Sequence, residues 1–398
     1  MLDLNVLQVI PVFNPPEFYG GSQRVAYQIS KELVKRGHEV YVYTSDAKRG
    51  NLRERVKESV ERFDGINICH FKHISHLLTE RMGFVVTPGI RRAFESEGEH
   101  FDIVHLHEPR AFQHLAVWRF ASKKRIPYIV HGHGVLNEGD TFHRLSARAY
   151  DTICGKKVLR SASMNIALNE NEVEDFRRLG VAKDKIMVIP NGIDLSQYSE
   201  LPLKGTFKRN FGIDDDEKII LYIGRIERSK GIDFLVQCFA HLVRNENPGL
   251  KLVIAGHDDG FLGEIKLLVD SLGISDLVLF SGVLTEKDKI SAYVDSAVCA
   301  YLGQFEPFGL VPLEAAACGT PVIVSKETYM AKIVDKGRFG FSAKFGDVNE
   351  TVSALRRVLD DDLSKGMSSR AIDCAKQFDI QKTVDKIERL YCDLVSNR

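Results

Sequence analysis

The sequence predicts an α/β protein built from two doubly wound, parallel-sheet domains. Short apolar runs rich in β-branched residues alternate with helical stretches, a pattern that places helices on both faces of a parallel sheet. The pattern stops at Pro190-Asn191-Gly192 and then begins again. A length of 398 residues exceeds one ordinary hydrophobic core and suits two domains. We therefore expect domains at 1–190 and 191–398.

Each domain is expected to have its own strands and helices. The clearest helix covers 22–36, where Val25, Ile29 and Leu33 recur every four residues, Ser22 can cap the start and Gly37 can end the helix. A final amphipathic helix is predicted at about 380–395. The predicted strands are 6–11, 40–44, 66–71, 103–107, 128–131, 164–168 and 186–189, followed by 219–223, 251–255, 278–280, 298–301 and 322–325.

Composition excludes several classes of protein. Hydrophobic residues make up 44% and charged residues 27%, which are ordinary values for a folded protein in water. The 54 basic and 54 acidic residues cancel, so no nucleic-acid partner is expected. Seven scattered cysteines without a Cys-x-x-Cys pair predict free thiols in a reducing compartment. The first residues lack the basic segment of a signal peptide, and we expect a cytoplasmic protein.

Ligands of parallel α/β sheets bind beyond the carboxyl ends of the strands, often at helix N-termini that attract anions. The first loop of interest carries Gly20-Gly21 directly before the helix at 22–36. Two glycines allow a ligand to approach the backbone closely, although Gly-Gly before a helix is also an ordinary tight turn. The Gly-x-Gly-x-x-Gly fingerprint does not occur here, which counts against a nicotinamide enzyme.

Two further loops carry charged residues in patterns that suit a sugar nucleotide. Arg225 and Lys230 lie five residues apart in a loop bounded by glycines, where both can reach a diphosphate. Glu306 and Glu314 flank the start of a predicted helix, so hydroxyl-binding carboxylates adjoin phosphate-binding N–H groups. The alternatives are solvated surface charges in the first loop, and a capping acid with an unrelated helix glutamate in the second.

These motifs, taken in order, resemble those of the retaining glycosyltransferases of family four. The match extends over essentially the whole chain, and the order and spacing of the motifs make it specific. The motifs are Gly20-Gly21, Asp102-Ile103-Val104-His105, His133-Gly134, the segment 189–194, Gly224-Arg225, Lys230-Gly231, Phe280-x-Gly282, and Glu306 with Glu314 followed by Ala-x-x-x-Gly-x-Pro-Val.

The resemblance implies the GT-B architecture, in which two Rossmann-like domains face a central cleft and the final helix crosses back onto the N-terminal domain. It implies that the second domain binds a nucleoside-diphosphate sugar and the first binds the acceptor. It further implies transfer with retention of anomeric configuration, by same-face attack in which the donor phosphate accepts the proton of the acceptor. No enzyme nucleophile, metal or other cofactor is then expected.

Residue roles follow by the same resemblance. Arg225 and Lys230 match the pair that neutralises the leaving diphosphate, Glu306 the residue that positions donor-sugar hydroxyls, and Glu314 the residue that binds ribose hydroxyls. His133 matches the histidine that lines the sugar face. Together, Glu306, Arg225, Lys230 and His133 form the expected catalytic set. The remaining donor contacts are expected from Gly20, Gly21, Gly282 and Val283, the last two near the base, and from the backbone of Phe308, Gly309 and Leu310.

Two histidine pairs raise the alternative of a metal site. His105-x-His107 and His131-x-His133 each put two imidazoles on one face of a predicted strand. No matching cysteine or carboxylate completes the site, and the family resemblance implies catalysis without metal. We therefore expect no bound metal.

The family pattern is interrupted at one place. Many members carry Gly-Gly-x-Pro-Glu after the strand that follows the glutamate motif, whereas this chain has Lys326-Glu327-Thr328-Tyr329-Met330-Ala331. Donor or acceptor selection is therefore expected to be unusual. The base, the sugar and the acceptor, which could be a glycan, a lipid-linked molecule or a small molecule, remain open. The alternatives are a nucleotide-sugar 2-epimerase of the same fold and a non-catalytic nucleotide-sugar-binding protein.

One segment of the first domain is strongly basic. Residues 110–160 contain ten basic and three acidic side chains. A solvated face is one explanation, and attraction to an anionic acceptor or to the inner face of an anionic membrane is the other. The basic residues are Arg110, Arg119, Lys123, Lys124, Arg125, Arg144, Arg148, Lys156, Lys157 and Arg160, and the acidic ones are Glu138, Asp140 and Asp151.

Overall fold

A computed structural model shows two compact α/β units. Unit 1 comprises Met1–Gly192 together with Ile380–Arg398, and unit 2 comprises Ile193–Asp379. The structure describes residues 3–14, 21–47, 55–56, 59–74, 85–134, 136, 148–245 and 249–397.

Unit 1 is organised around an eight-stranded sheet in the order β3-β4-β2-β1-β5-β6-β7-β8. All neighbouring strands are parallel except β3, which runs antiparallel to β4 at one edge. The strands are β1 Asn5–Val9, β2 Glu39–Ser45, β3 Val60–Phe63, β4 Ile66–Phe71, β5 Ile103–His107, β6 Tyr128–His131, β7 Met164–Ala167 and β8 Ile186–Val188.

Helices connect these strands. Helix α1 ends where Gly37 adopts a positive φ of 95°, which closes the last turn as the sequence predicts. The Asn169 side chain caps α5 by accepting the N–H of Glu172. The helices are α1 Gly21–Lys35, α2 Gly89–Glu97, α3 Gln113–Lys124, α4 Lys156–Ser161 and α5 Glu170–Arg178.

Unit 2 has a fully parallel six-stranded sheet in the order β11-β10-β9-β12-β13-β14. Its central strand β9 is buried on both faces, which explains the unbroken apolar run Ile219–Ile223. The strands are β9 Lys218–Ile223, β10 Leu250–Ala255, β11 Val278–Gly282, β12 Ser296–Tyr301, β13 Val322–Ser325 and β14 Gly340–Ala343.

The helices of unit 2 follow the same alternation. Thr285 and Asp347 cap α9 and α12 by accepting an N–H three residues further on. The helices are α6 Thr206–Phe211, α7 Ile232–Asn245, α8 Leu262–Ser271, α9 Glu286–Asp295, α10 Leu310–Ala317, α11 Tyr329–Gly337, α12 Val348–Leu359 and α13 Met367–Ala375.

The last helix, α14 at Ile380–Ser396, belongs to unit 1 and packs on α1. Glu388 of α14 is buried between Arg36, whose Nη1 lies 2.7 Å from Oε2, and His38, whose Nε2 lies 3.1 Å from Oε1. Tyr391 is buried against the sheet, 2.6 Å from Nδ1 of His105. A charged and hydrogen-bonded seam therefore fastens α14 to the amino-terminal sheet.

The chain leaves unit 1 after Gly192 and returns to it at Ile380, and these two points lie side by side. A Cβ atom on Gly192 would stand 2.7 Å from the Cα of Ile380, so a residue without a side chain is needed there. Thr383 donates its hydroxyl to the carbonyl of Pro190 at 3.1 Å. The turn predicted at 190–192 is thus also the place where the chain returns to unit 1.

The predicted α/β class with two parallel sheets is confirmed. Every predicted strand is present, with ends that differ by at most three residues. Two strands, β3 and β14, were not predicted. Within the described ranges, no helix is long and apolar enough to span a membrane.

Candidate functional site

In unit 2 the strand order reverses between β9 and β12. The strands before this point proceed to one side of the sheet, and the later ones proceed to the other. The loops that follow β9 and β12 therefore diverge and leave a crevice between them, which is where ligands bind in open α/β sheets. These are the loops that carry Arg225, Lys230 and Glu306.

The loop after β9 is held by close backbone contacts. A Cβ on Gly256 would lie 1.7 Å from the Gly224 carbonyl oxygen, and a Cβ on Gly231 would lie 2.4 Å from the Leu302 carbonyl oxygen. Both glycines have positive φ angles. Tyr222 donates its hydroxyl to the carbonyl of Arg225 at 2.8 Å. The loop is thereby packed against the segment that follows β12.

Lys230 and Glu306 meet in this crevice. The Lys230 Nζ and the Tyr301 hydroxyl each lie 2.9 Å from Oε2 of Glu306. The Lys230 and Glu306 side chains are only 12% and 15% exposed, so their charges are weakly screened by solvent. Burial, with a further contribution from Glu306, holds the pKa of Tyr301 well above its ordinary value, which keeps the hydroxyl proton available for donation.

Arg225 lies in the same loop and faces two other carboxylates. Its Nη1 is 2.7 Å from Oε2 of Glu227 and 3.1 Å from Oδ2 of Asp259. The structure therefore places Arg225 and Lys230 in one loop, each next to an acidic partner. An anionic ligand would compete with these carboxylates for the two cations.

Glu314 is more deeply buried than Glu306, at 1% exposure in α10. Its Oε2 accepts the Tyr293 hydroxyl at 3.0 Å and lies 3.5 Å from Nζ of Lys289. Burial and the neighbouring Glu314 carboxylate raise the pKa of Tyr293 well above its ordinary value. The neutral Tyr293 hydroxyl and the Lys289 cation thus fix the carboxylate of Glu314, the second of the two glutamates.

The segment between the two glutamates is braced by α11. Phe308 is buried and stacks on Tyr329 with ring centroids 5.7 Å apart, and Phe378 meets its edge at 6.0 Å. Gly309 has a φ of 89°, and a Cβ there would lie 2.8 Å from Cγ of Met330. Tyr329 and Met330 belong to the segment that departs from the family pattern. That segment therefore supports the backbone that leads into Leu310, the first residue of α10.

The remaining expected donor contacts differ in their surroundings. Gly282 ends β11 with a φ of 71°, and Val283 is exposed beside it. Gly21 opens α1, whose Ser22 hydroxyl donates to Glu108 after β5. Gly20 lies outside the described residues. These positions stay predictions.

Unit 1 contains a buried histidine cluster, formed by His105 and His107 of β5, His131 of β6, and His133 in the turn after β6. Each histidine stacks on the next in its pair, with centroids 4.1 Å and 3.9 Å apart. Burial lowers the pKa of His133 to about 3 and the pKa values of the other three well below the ordinary one. All four imidazoles are therefore neutral.

A chain of hydrogen bonds fixes the orientation of these rings. His107 donates from Nε2 to Oε1 of Gln8 at 2.6 Å, so its Nδ1 accepts from Nε2 of His133 at 2.8 Å. Among the described residues, Nδ1 of His133 has no hydrogen-bond partner. The neutral His133 ring thus carries a buried lone pair at Nδ1.

The cluster brings ligand atoms of His105, His107 and His131 within 4.8 Å of one another. Three neutral imidazoles are a common ligand set for zinc. The rings are stacked, however, and both nitrogens of His107 already have hydrogen-bond partners. A metal would have to break these contacts, and the expectation of no bound metal stays a prediction.

Two family models match the chain, one on each side of residue 200. The model described as glycosyltransferase family 4 matches residues 19–197, and the model described as glycosyl transferases group 1 matches residues 204–378. The chain belongs to glycosyltransferase family four.

Similar family members extend over nearly the whole length of this glycosyltransferase. A D-inositol 3-phosphate glycosyltransferase of Corynebacterium jeikeium is 28% identical, with 94% of this chain and 92% of the relative covered. An N-acetyl-alpha-D-glucosaminyl L-malate synthase of Bacillus anthracis is 25% identical, with 94% of each chain covered. Transfer of a glycosyl group is therefore the activity of this family member.

Solved structures support the GT-B fold. Sucrose-phosphate synthase from Thermosynechococcus elongatus superposes with a TM-score of 0.82 at 22% identity, covering 99% of this chain and 100% of that one. HepE from Anabaena, in complex with UDP and glucose, gives a TM-score of 0.78 at 18% identity, covering 98% and 100%. The predicted fold family is thus confirmed.

Several residues at the glycosyltransferase site were not predicted. Tyr301 and Tyr222 hold Glu306 and the Arg225 loop, and both are strand residues whose aromatic type first suggests core packing. Glu172 was also missed, although its position three residues after Asn169 is a recognisable capping spacing. A search of the carboxyl ends of the predicted strands for hydroxyl groups as well as charged groups would have found both tyrosines.

Proposed function

We propose that unit 2 binds a nucleoside-diphosphate sugar and that this glycosyltransferase transfers the sugar with retention of anomeric configuration. The observation that supports this most is the convergence of Arg225, Lys230 and Glu306 where the strand order reverses. Two cations suit a diphosphate, and a carboxylate beside them suits the hydroxyls of the attached sugar.

In this proposal, Lys230 and Arg225 bind the diphosphate and stabilise the charge that develops on it as the bond to the sugar breaks. A well-placed donor of this kind contributes about 2.7–4 kcal/mol to the transition state. Both cations are paired with carboxylates. The diphosphate replaces those partners, so the site does not have to bury an unpaired cation at any stage.

Glu306 then accepts hydroxyls of the donor sugar, and Glu314 accepts hydroxyls of the ribose. Backbone N–H groups of Phe308, Gly309 and Leu310 bind sugar or phosphate oxygens, and the backbone at Gly282 and Val283 meets the base. In unit 1, His133 offers its Nδ1 lone pair to a sugar hydroxyl. A neutral imidazole accepts such a hydrogen bond without adding a positive charge.

Retention follows from same-face attack. The acceptor oxygen forms its bond to the anomeric carbon on the face that the diphosphate leaves, and a donor phosphate oxygen accepts the hydroxyl proton. The bond between the anomeric carbon and the phosphate oxygen carries its electron pair to the leaving diphosphate. No side chain is needed as a nucleophile, and the protein cations take the role of a metal.

We further propose that the acceptor is anionic, because a basic surface covers α3 and α4. The α3–α4 basic surface consists of Arg119, Lys123, Lys124, Arg125, Lys156, Lys157 and Arg160, on two helices that pack against each other. Two relatives are named for anionic compounds, D-inositol 3-phosphate and L-malate. Such a surface would equally attract the headgroups of an anionic membrane.

Three predicted basic residues, Arg110, Arg144 and Arg148, are not part of this surface, and Arg144 lies outside the described residues, as do Glu138 and Asp140. Arg110 binds Asp151 with Nη2 2.8 Å from Oδ2, and both side chains are largely buried. The ion pair cancels one basic and one acidic charge of the segment. Ile153, by contrast, is 73% exposed in the turn that leads into α4, which adds an apolar contact beside the basic residues.

Thermal shift with UDP, GDP and ADP tests the donor half of the proposal. A ligand at a hundred times its dissociation constant stabilises the folded protein by about 2.7 kcal/mol, and we expect one of the three to do so. NMR of the glycosidic product from a matching donor gives the anomeric configuration. No shift with any diphosphate, or a product of inverted configuration, contradicts the proposal.

A further inference from the structure

The turn after β6 holds His133 in an uncommon backbone conformation. His133 has a φ of 54° and Gly134 a φ of 75°, so two consecutive residues occupy the left-handed region. A residue with a side chain is strained there and stays only where its surroundings hold it. The contacts of this turn therefore determine where the His133 ring lies.

Glu172 makes a polar contact to this turn. It lies in the first turn of α5, is 3% exposed, and uses both carboxylate oxygens as acceptors. Oε1 accepts the N–H of Gly134 at 2.6 Å, and Oε2 accepts the N–H of Leu168 at 2.7 Å. One side chain thus ties the turn after β6 to the end of β7.

The Glu172 carboxylate also packs closely against Gly132. A Cβ atom on Gly132 would lie 2.2 Å from Oε1 of Glu172, so only glycine leaves room for the carboxylate. The N–H of Glu172 is in turn donated to Oδ1 of Asn169 at 3.1 Å. Side chain and backbone of Glu172 are therefore both fixed.

The His133 ring is held independently by His107, through the 2.8 Å bond between Nδ1 and Nε2. The backbone is held by Glu172 and the ring by His107, and together these leave one orientation for Nδ1 of His133.

We propose that Glu172 is a positioning residue for His133, which sets the direction of its Nδ1 through the N–H of Gly134. The inference rests on the proposed function, because it gives His133 a role in transfer. Burial raises the pKa of Glu172 to about 7, and the N–H groups of Leu168 and Gly134 oppose this shift because they stabilise the carboxylate.

The test is a double-mutant cycle on transferase activity. Glu172→Gln keeps the shape but replaces one carboxylate oxygen by an NH2 group, so only one of the two backbone N–H groups keeps its acceptor. We expect kcat to fall about tenfold or more, with an unchanged KM for the donor, because a small misplacement of a catalytic group is costly. In the His133→Ala background, the same change should cost less than twofold. Glu174→Gln, on the exposed side of α5, is the matched control.

Each outcome decides the question. A folded Glu172→Gln protein with wild-type kcat overturns the inference, and so does an equal loss in both backgrounds. If Glu172→Gln does not fold, Gly132→Ala displaces the same carboxylate from the turn side, and wild-type kcat there also overturns it. If the wild-type protein binds no nucleoside diphosphate, or if His133→Ala is fully active, the result instead contradicts the proposed function.

Discussion

Lys230 and Glu306 are 76 positions apart in the sequence and are joined by a 2.9 Å ion pair in unit 2. The pair crosses from the loop after β9 to the loop after β12, at the point where the strand order reverses. Each residue neutralises the charge of the other. Each is therefore held ready for a ligand that brings both a negative charge and hydroxyl groups.

Removing either partner should abolish most of the activity. We expect Lys230→Ala and Glu306→Ala each to lower turnover about a hundredfold or more, because both act on the bound donor. Arg228→Ala is the control, since this loop residue is exposed and binds Glu264 instead. Steady-state kinetics measures the turnover of each variant, and circular dichroism shows whether the variant is folded. Near-wild-type turnover in either variant would remove that residue from the proposed mechanism.

The aromatic support under the glutamate motif should contribute to donor affinity. Tyr329→Ala removes the ring that stacks on Phe308, and aromatic pairs contribute about 0.5–1.5 kcal/mol, so the dissociation constant for the donor nucleotide should rise about two- to tenfold. Tyr329→Phe keeps the ring and should bind like the wild type. Calorimetric titration compares the three proteins, and equal affinities would assign the stack to folding alone.

Activity should persist in excess chelator. In the proposed mechanism Arg225 and Lys230 neutralise the diphosphate, so no divalent cation is required for that step. The measurement is the initial rate with EDTA, after dialysis and metal analysis of the protein. Complete loss of activity, restored by added manganese or zinc, would show that a metal takes part.

The buried imidazoles should make the protein sensitive to acid. The pKa values of His105, His107, His131, His133 and His114 are lowered in the folded state, the last to about 4. These groups bind protons in the unfolded chain first. Their contribution to stability is therefore complete above the unfolded pKa of about 6.5 and is lost as pH falls below it, by about 1 kcal/mol per imidazole down to pH 5.5.

Glu172 acts in the opposite direction, because burial raises its pKa to about 7 and the folded state then binds its proton first. One such carboxyl is outweighed by five imidazoles. Urea unfolding at pH 7.5, 6.5 and 5.5 should show a falling free energy of unfolding. A free energy that stays constant or rises toward pH 5.5 would mean that the histidines are already protonated in the folded protein.

The α3–α4 basic surface should bind anionic vesicles at low salt and release them at high salt, since its attraction is screened over about 8 Å at physiological ionic strength. Charge reversal of Lys123, Lys124 and Lys157 to Glu should abolish sedimentation with the vesicles. Reversal of the exposed Lys332, Lys336 and Lys365 of unit 2 is the matched control. A wild-type protein that stays in the supernatant at low salt would favour a soluble acceptor.

The sequence allowed the buried strands to be predicted because their apolar runs are continuous. Strand β3, Val60–Phe63, has polar and partly exposed residues and lies at a sheet edge, where burial imposes no pattern. Strand β14 begins at Gly340, whose Cβ would lie 1.9 Å from the Val322 carbonyl oxygen, so packing against β13 requires a residue of low strand propensity. At both sheet edges, the tertiary contacts therefore form a strand that the local sequence does not favour.

The same limit applies to the site. Charged residues next to glycines could be found because their chemistry is unusual in a loop. The roles of Tyr301 and Glu172 depend on which loops and strands become neighbours, and a capping acid looks the same in the sequence whether or not it reaches a second strand. Contacts between distant segments therefore had to come from the structure.

The docking of α14 on unit 1 has a consequence for synthesis on the ribosome. Residues 1–192 complete their fold only after the segment from Ile380 has emerged from the ribosome. Tyr391 of this segment is buried against their sheet, and Glu388 neutralises the charge of Arg36. The intervening unit of about 190 residues takes about 10–40 s to translate. During that interval Arg36 and His105 are without their α14 partners Glu388 and Tyr391.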